Sequence, residues 1–130
     1  MVLIDDYAHH PTEINALFKA VSEMYPEDKK IIAFQPHLYS RTQDFGDEFA
    51  KSLSQFDEIL LLEIYPAREL PISGIDAQWL FDKISNPNKT LTTKQQLVND
   101  LKSSACTIKL IVGAGDIGEE VKNITKQLMQ

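Results

Sequence analysis

Apolar positions along the chain change their period several times, and each change predicts an element. Val2-Leu3-Ile4 is an unbroken apolar run, the pattern of a strand buried on both faces, and it ends in Asp5-Asp6-Tyr7. Pro11 suits the first turn of a helix. From there Ile14, Leu17, Phe18, Val21 and Tyr25 recur at helical spacing as one apolar stripe that Pro26 stops. Ile31-Ile32-Ala33-Phe34 predicts a second strand, and Ser40 with Gln43 has the spacing of a helix capping box. Phe45, Phe49, Leu53 and Phe56 mark a second amphipathic helix, and Ile59-Leu60-Leu61-Leu62 a third buried strand. A loop from Glu63 to Gly74 is punctuated by Pro66 and Pro71, and a shorter helix follows around Ala77 to Ile84. A short edge strand is expected near Lys89–Leu91, a helix over Gln95 to Ser103 and a strong strand over Ile108 to Val112. Ile117, Val121, Ile124 and Leu128 form the stripe of a closing helix.

Strands alternating with helices at this spacing predict an α/β fold, a mostly parallel sheet of about five to six strands with helices on both faces. No internal repeat, linker or low-complexity segment interrupts residues 1–130, which read as a single domain. In such sheets ligands sit at the carboxyl ends of the strands, near a switch point in strand order. Asp5 to His10, Gln35 to Arg41, Glu63 to Arg68 and Gly113 to Gly118 all follow a predicted strand and are expected to line one rim.

Composition narrows the class. With 43% hydrophobic and 25% charged residues in 130, the chain has enough apolar surface for one core, which excludes disorder and a collagen-like fibre. Its one cysteine, Cys106, cannot form an internal disulfide and fits a reducing compartment. Nineteen acidic residues against thirteen basic ones give a net charge of −6, which argues against nucleic-acid binding, where affinity comes largely from phosphate neutralisation. No apolar run approaches the roughly 20 residues needed to span a bilayer, and the N-terminus lacks the pattern of a signal peptide. A cytoplasmic protein without membrane contact is expected. Met1-Val-Leu-Ile opens directly on a strand with no polar lead-in, the pattern of a boundary just before the last domain of a longer chain.

Three clusters could carry chemistry. Asp5-Asp6-Tyr7-Ala8-His9-His10-Pro11 concentrates titratable groups at a helix start, more than capping alone requires. Tandem histidines point apart and lack the spacing that places two on one helix face, so no metal site is expected there. Gly113-Ala-Gly-Asp-Ile-Gly118 matches the glycine pattern of a dinucleotide fingerprint. The chain ends twelve residues later, without the second strand and acidic residue that such a site needs. Those glycines then either admit an anion or carbonyl to backbone N–H groups or allow close helix packing. Phe34-Gln35-Pro36-His37-Leu38-Tyr39-Ser40-Arg41-Thr42 offers an arginine fork suited to a carboxylate or phosphate, or else a surface arginine paired with Asp44 or Glu48. Trp79 reads as core and Cys106 as inert, and no phosphate-binding loop of the G-x-x-x-x-G-K-[ST] type occurs.

Four segments taken in order resemble one family: Asp-Asp-Tyr-Ala-His-His-Pro-Thr-Glu-Ile at 5–14, Phe-Gln-Pro-His-Leu-Tyr-Ser-Arg-Thr at 34–42, Leu-Glu-Ile-Tyr-Pro-Ala-Arg-Glu at 62–69 and Gly-Ala-Gly-Asp-Ile at 113–117. The chain resembles, over essentially its whole length, the C-terminal domain of the Mur ligases, in the branch that joins L-alanine to UDP-N-acetylmuramate. The second segment separates that branch from the ligase that recycles the murein tripeptide, the alternative within the superfamily. Outside it, the alternative is a free-standing nucleotide- or anion-binding module.

The resemblance implies a Rossmann-like three-layer sandwich, the last of three domains in an ATP-dependent enzyme of peptidoglycan biosynthesis. It implies UDP-N-acetylmuramate, L-alanine and ATP with Mg2+ as reactants, an acyl-phosphate intermediate, and a phosphate loop and magnesium site mostly in the central domain. The isolated domain is then expected to be inactive. By the same resemblance Asp6 accepts ATP ribose hydroxyls, Tyr7 borders the amino-acid pocket, and His9 is catalytic, at the transferred phosphate. Arg41 holds the L-alanine carboxylate, and His37 lines the same pocket. Some relatives carry an arginine where this chain has Leu38.

Overall fold

The computed structural model describes residues 1–128. Strands β1 (Val2–Asp6), β2 (Lys30–Phe34), β3 (Glu58–Leu61), β4 (Lys89–Leu91) and β5 (Ile108–Val112) form one sheet in the order β1-β5-β2-β3-β4. Every neighbouring pair is parallel. The helices are α1 (Pro11–Met24), α2 (Tyr39–Asp44), α3 (Gly46–Ser54), α4 (Ala77–Lys83), α5 (Lys94–Ser103) and α6 (Ile117–Leu128). Parallel neighbours need a crossover, and the chain makes its crossovers in two directions. From β1 it advances to β4 at the far edge with α1, α3 and α4 on one face. It then returns through α5 on the other face and inserts β5 between β1 and β2.

Alternation along the strands divides the core in two. Ile32, Phe34, Ile59, Leu61, Leu110 and Val112 pack with Ile14, Val21, Phe49, Leu53 and Leu80. Ile31, Ala33, Leu60 and Ile111 pack with Leu97, Leu101, Ile117 and Ile124 on the opposite face. Burying each large apolar side chain contributes about 1.5–3 kcal/mol, so these layers rather than helix propensity hold the fold. β2 and β5 are buried at every position. β1 is not the fully buried strand that its apolar run predicts, because it lies at a sheet edge and its residues stay partly open.

A recurrent device joins helix ends to strands. Lys30 Nζ donates to the carbonyls of Tyr25 (3.0 Å) and Asp28 (2.7 Å), just past α1. Lys89 Nζ donates to Phe81 O (2.8 Å) and Ile84 O (2.9 Å) at the end of α4, and Lys109 Nζ to Leu101 O and Ser104 O at the end of α5. Helix C-termini present unpaired carbonyls and partial negative charge, and each lysine satisfies both. This explains how Lys30 and Lys109 are buried without a carboxylate partner for the ammonium among the described residues.

The expected capping box does not form. Ser40 lies inside α2, whose N-cap is Leu38 without a side-chain bond, and the Ser40 hydroxyl is used elsewhere. The apolar stripe from Phe45 to Phe56 also resolves differently, since Phe45 caps α3 and Phe56 lies beyond its end. Gly46 opens α3 where a Cβ would collide with the Trp79 ring, so Trp79 is packed as expected.

Candidate functional site

The four strand-end segments converge, because backbone pairing continues past the strands. Gly113 N donates to Asp6 O (3.1 Å), Gln35 N to Val112 O (3.1 Å) and Leu62 N to Phe34 O (2.9 Å). Tyr65 N donates to Pro36 O (2.8 Å) and Leu38 N to Tyr65 O (2.9 Å). The segments after β1, β2 and β3 turn to one face and the segment after β5 to the other, which makes β5 the switch point of the sheet.

In the first segment, Asp6 Oδ1 accepts from Ala8 N (2.9 Å), a local turn that aims the carboxylate and leaves Oδ2 uncommitted among the described residues. Tyr7 is 71% exposed. His9 Nδ1 lies 3.0 Å from Tyr7 O, and since a carbonyl only accepts, Nδ1 donates there and Nε2 is left uncommitted among the described residues. His9 N donates to Glu13 Oε1 (3.1 Å). His10 is structural: its Nδ1 accepts from Thr12 N (3.2 Å) as the N-cap of α1, and its ring packs edge-on against Phe45.

The second segment holds two unsatisfied groups. Among the described residues His37 Nδ1 and Arg41 Nη1 are both buried without a hydrogen-bond partner. The His37 ring stands between His9, 6.1 Å away and edge-on, and Tyr65, 5.6 Å away. Burial first, then the positive charges of Arg41 and His9, hold the His37 imidazole below its usual range, so it is neutral at pH 7. Among the described residues no carboxylate forms an ion pair with Arg41, so the expected alternative of a contact with Asp44 or Glu48 is not made. A buried polar atom without a partner carries a desolvation cost of about 1–3 kcal/mol, which an incoming anion would relieve.

Gly113 and Gly115 of the fourth segment serve packing. A Cβ on Gly115 would stand 2.6 Å from both Gln35 Oε1 and the Tyr65 ring, and one on Gly113, at φ +154°, would meet Gln35 O at 3.0 Å. Gln35 binds this turn on both sides: Nε2 donates to Asp116 Oδ1 (2.6 Å) and Oε1 accepts from Ile117 N (3.0 Å). Asp116 Oδ2 in turn accepts from Lys94 Nζ at 2.5 Å. Burial pushes the Asp116 carboxyl up, but the hydrogen bonds from Lys94 and Gln35 and the Lys94 charge outweigh it and leave the carboxyl below its usual range.

From the third segment, Glu63 accepts from Ile64 N (3.1 Å) and Ala77 N (2.9 Å) and so joins the start of α4, while Arg68 is exposed. Glu69 reaches Ser40 at the start of α2. Sequence reasoning assigned no role to Gln35, Asp116, Lys94 or Glu69. The one available signal was a polar Gln35 directly following the apolar β2 run. Among the described residues no three His, Cys, Asp or Glu side chains cluster in a way that could hold a metal ion, and no helix is long and apolar enough to cross a membrane.

Known proteins are similar to this chain in sequence and in fold. The family profile described as Mur ligase, glutamate ligase domain, matches residues 1–117. A UDP-N-acetylmuramate–L-alanine ligase of Flavobacterium psychrophilum is 64% identical over 98% of this chain, and one of Porphyromonas gingivalis is 50% identical over 100% of it. The chain spans 28% of the length of either relative. The crystal structure of a UDP-N-acetylmuramate-alanine ligase from Thermotoga maritima superposes with a TM-score of 0.77 at 27% identity, covering 98% of this chain and 26% of that one. A murein peptide ligase from Psychrobacter arcticus shares the fold, with a TM-score of 0.74 at 17% identity over 97% of this chain and 27% of that one. The α/β sandwich, its four converging segments and the profile match lead to one conclusion: the chain belongs to the Mur ligase, glutamate ligase domain family.

Proposed function

We propose that this domain forms the amino-acid and nucleotide-ribose face of a three-domain cytoplasmic enzyme that joins L-alanine to UDP-N-acetylmuramate in peptidoglycan synthesis. The observation that carries this reading is the pair of buried, unpartnered nitrogens at the end of β2, His37 Nδ1 and Arg41 Nη1, in a domain 64% identical to the corresponding part of a named alanine ligase. A guanidinium without a protein partner among the described residues, close to a neutral imidazole, is suited to receive a carboxylate through charge-assisted hydrogen bonds. In this reading Arg41 takes the L-alanine carboxylate and His37 borders the same pocket with Tyr7.

In the proposed reaction the muramoyl carboxylate attacks the γ-phosphorus of ATP, which releases ADP and leaves an acyl phosphate. The L-alanine amine then adds to the acyl carbon, phosphate departs and the amide forms. ATP supplies the leaving group that a carboxylate lacks. Asp6 presents a free acceptor oxygen to the ribose hydroxyls, and His9 presents Nε2 toward the transferred phosphate. The phosphate loop and the magnesium ligands belong, in this reading, to the central domain. Excluding water when the domains close protects the acyl phosphate from hydrolysis.

The test is kinetic. In the full-length chain that carries this domain, Arg41→Lys should raise the KM for L-alanine by about tenfold or more while the KM for ATP stays within about twofold, since only binding of the carboxylate is weakened. Equal effects on both substrates would count against the carboxylate role. The 130 residues alone should form no UDP-N-acetylmuramoyl-L-alanine and should bind nucleotide weakly in calorimetry. Micromolar nucleotide binding would instead favour a free-standing module.

A further inference from the structure

The loop after β3 approaches the proposed amino-acid site through one side chain. Glu69 Oε1 accepts from Ser40 N at 3.1 Å, and its other oxygen accepts from the Ser40 hydroxyl. Both donors belong to the first turn of α2, the helix that carries Arg41, and that helix has no cap from its own N-cap residue. A carboxylate 29 residues further along the chain therefore does what a local cap does elsewhere.

The junction it closes is strained on both sides. Leu38 has φ +72° and Ala67 has φ +52°, and among the described residues these are the only non-glycine positions with positive φ. One lies in the β2 segment between His37 and Arg41, and the other lies two residues before Glu69. Such conformations persist only where their surroundings over-determine them, and they concentrate at functional sites. Here Leu38 N donates to Tyr65 O (2.9 Å), Leu38 O accepts from the Thr42 hydroxyl (2.8 Å), and Glu69 N donates to Pro66 O (2.9 Å). His37 and Arg41 flank this turn, so the direction in which each side chain points depends on how the turn is held. Glu69 itself makes no ion pair with Arg41, so its charge is spent on the helix start and the guanidinium stays available.

We propose that Glu69 is a positioning residue for the amino-acid pocket: by binding the first turn of α2 it holds the strained Leu38 turn and thereby sets His37 and Arg41 toward the carboxylate of the amino-acid substrate. The proposal rests on the reading of Arg41 given above. Hydrogen bonds from Ser40 hold the Glu69 carboxyl below the usual carboxylate range, so the clamp is charged and intact at neutral pH.

Steady-state kinetics on the full-length chain, with thermal melts run alongside, test it. Glu69→Ala should raise the KM for L-alanine by about tenfold while kcat and the KM for ATP stay within about twofold. Glu69→Gln keeps one acceptor oxygen and should fall between Glu69→Ala and the parent. Ser40→Ala, which removes only the hydroxyl bond, should raise the alanine KM in the same direction, and adding it to Glu69→Ala should change nothing more, because Glu69→Ala already removes that bond. An alanine KM within about twofold of the parent in Glu69→Ala, in an enzyme where Arg41→Ala does raise it, overturns the positioning role. If Arg41→Ala also leaves the alanine KM unchanged, the carboxylate reading fails instead. If Glu69→Ala does not fold, Glu69→Gln and Ser40→Ala decide the matter, and equal changes in the KM for alanine and ATP overturn the proposal.

Discussion

Gln35 and Asp116, 81 residues apart, meet at a 2.6 Å hydrogen bond that joins the end of β2 to the turn entering α6. The same amide accepts from Ile117 N, so one buried side chain ties the β5 segment to the segment carrying His37 and Arg41. Gln35→Glu removes the donor and sets a second carboxylate against Asp116. At pH 7.5 this should lower unfolding stability by about 3 kcal/mol. The loss should shrink at pH 5, where a protonated carboxyl donates again. Urea denaturation at both pH values measures it, and a loss independent of pH would contradict the contact.

Gly115 and Gly118 separate packing from helix propensity. A Cβ at Gly115 would press on Gln35 and Tyr65, so Gly115→Ala should cost about 1–3 kcal/mol of stability. Nothing lies within 4 Å of a Cβ at Gly118, inside α6, so Gly118→Ala should stabilise by about 0.5–1 kcal/mol. Denaturation midpoints with an unchanged m-value check both. If the two variants behaved alike, close packing would not be the reason for glycine at 115.

His37 should titrate below the ordinary histidine value of 6.5 because burial, Arg41 and His9 all disfavour its charge. The unfolded chain then takes up a proton at this residue before the folded one does. Its contribution to stability is therefore complete above pH 6.5 and is lost as pH falls through the folded value. NMR titration of the ring protons gives the value directly, and His37→Gln should flatten the stability profile on the acid side of neutrality. A titration at or above 6.5 would show that the ring is not desolvated.

Cys106 is 7% exposed, and burial pushes its thiol up from the usual value. Thiolate is the reactive form, so iodoacetamide at pH 7.5 should modify the native protein at least about a hundredfold more slowly than the urea-unfolded chain. Mass spectrometry of timed aliquots reads the rates. Comparable rates would mean that the β5 edge of the second core opens readily.

Much of the architecture was legible because its signals are local. The stripe of Ile14, Phe18 and Val21 and the run Ile108–Val112 have periods that only a helix or a buried strand satisfies, and both elements form where those periods place them. Parallel pairing and helices on both faces followed from the alternation of such elements. So did the gathering of the four strand-end segments along one rim. The motifs of the family rest on short contiguous segments, and these too are properties of sequence.

Tertiary structure alone decided the rest, and in each case the deciding contact spans a long stretch of chain. Local pattern carries no register between distant strands, so the insertion of β5 between β1 and β2, which brings Gly113 against Asp6, appears only in the fold. Ser40 carries a capping signature with Gln43, yet its hydroxyl bonds to Glu69, because α2 begins at the strained Leu38 turn and offers its donors to the neighbouring loop. Arg41 could have paired with Asp44 or Glu48 within its own stretch of chain. In the fold one of its nitrogens is instead buried without a partner among the described residues, and that desolvation is what suits it to the carboxylate role proposed above.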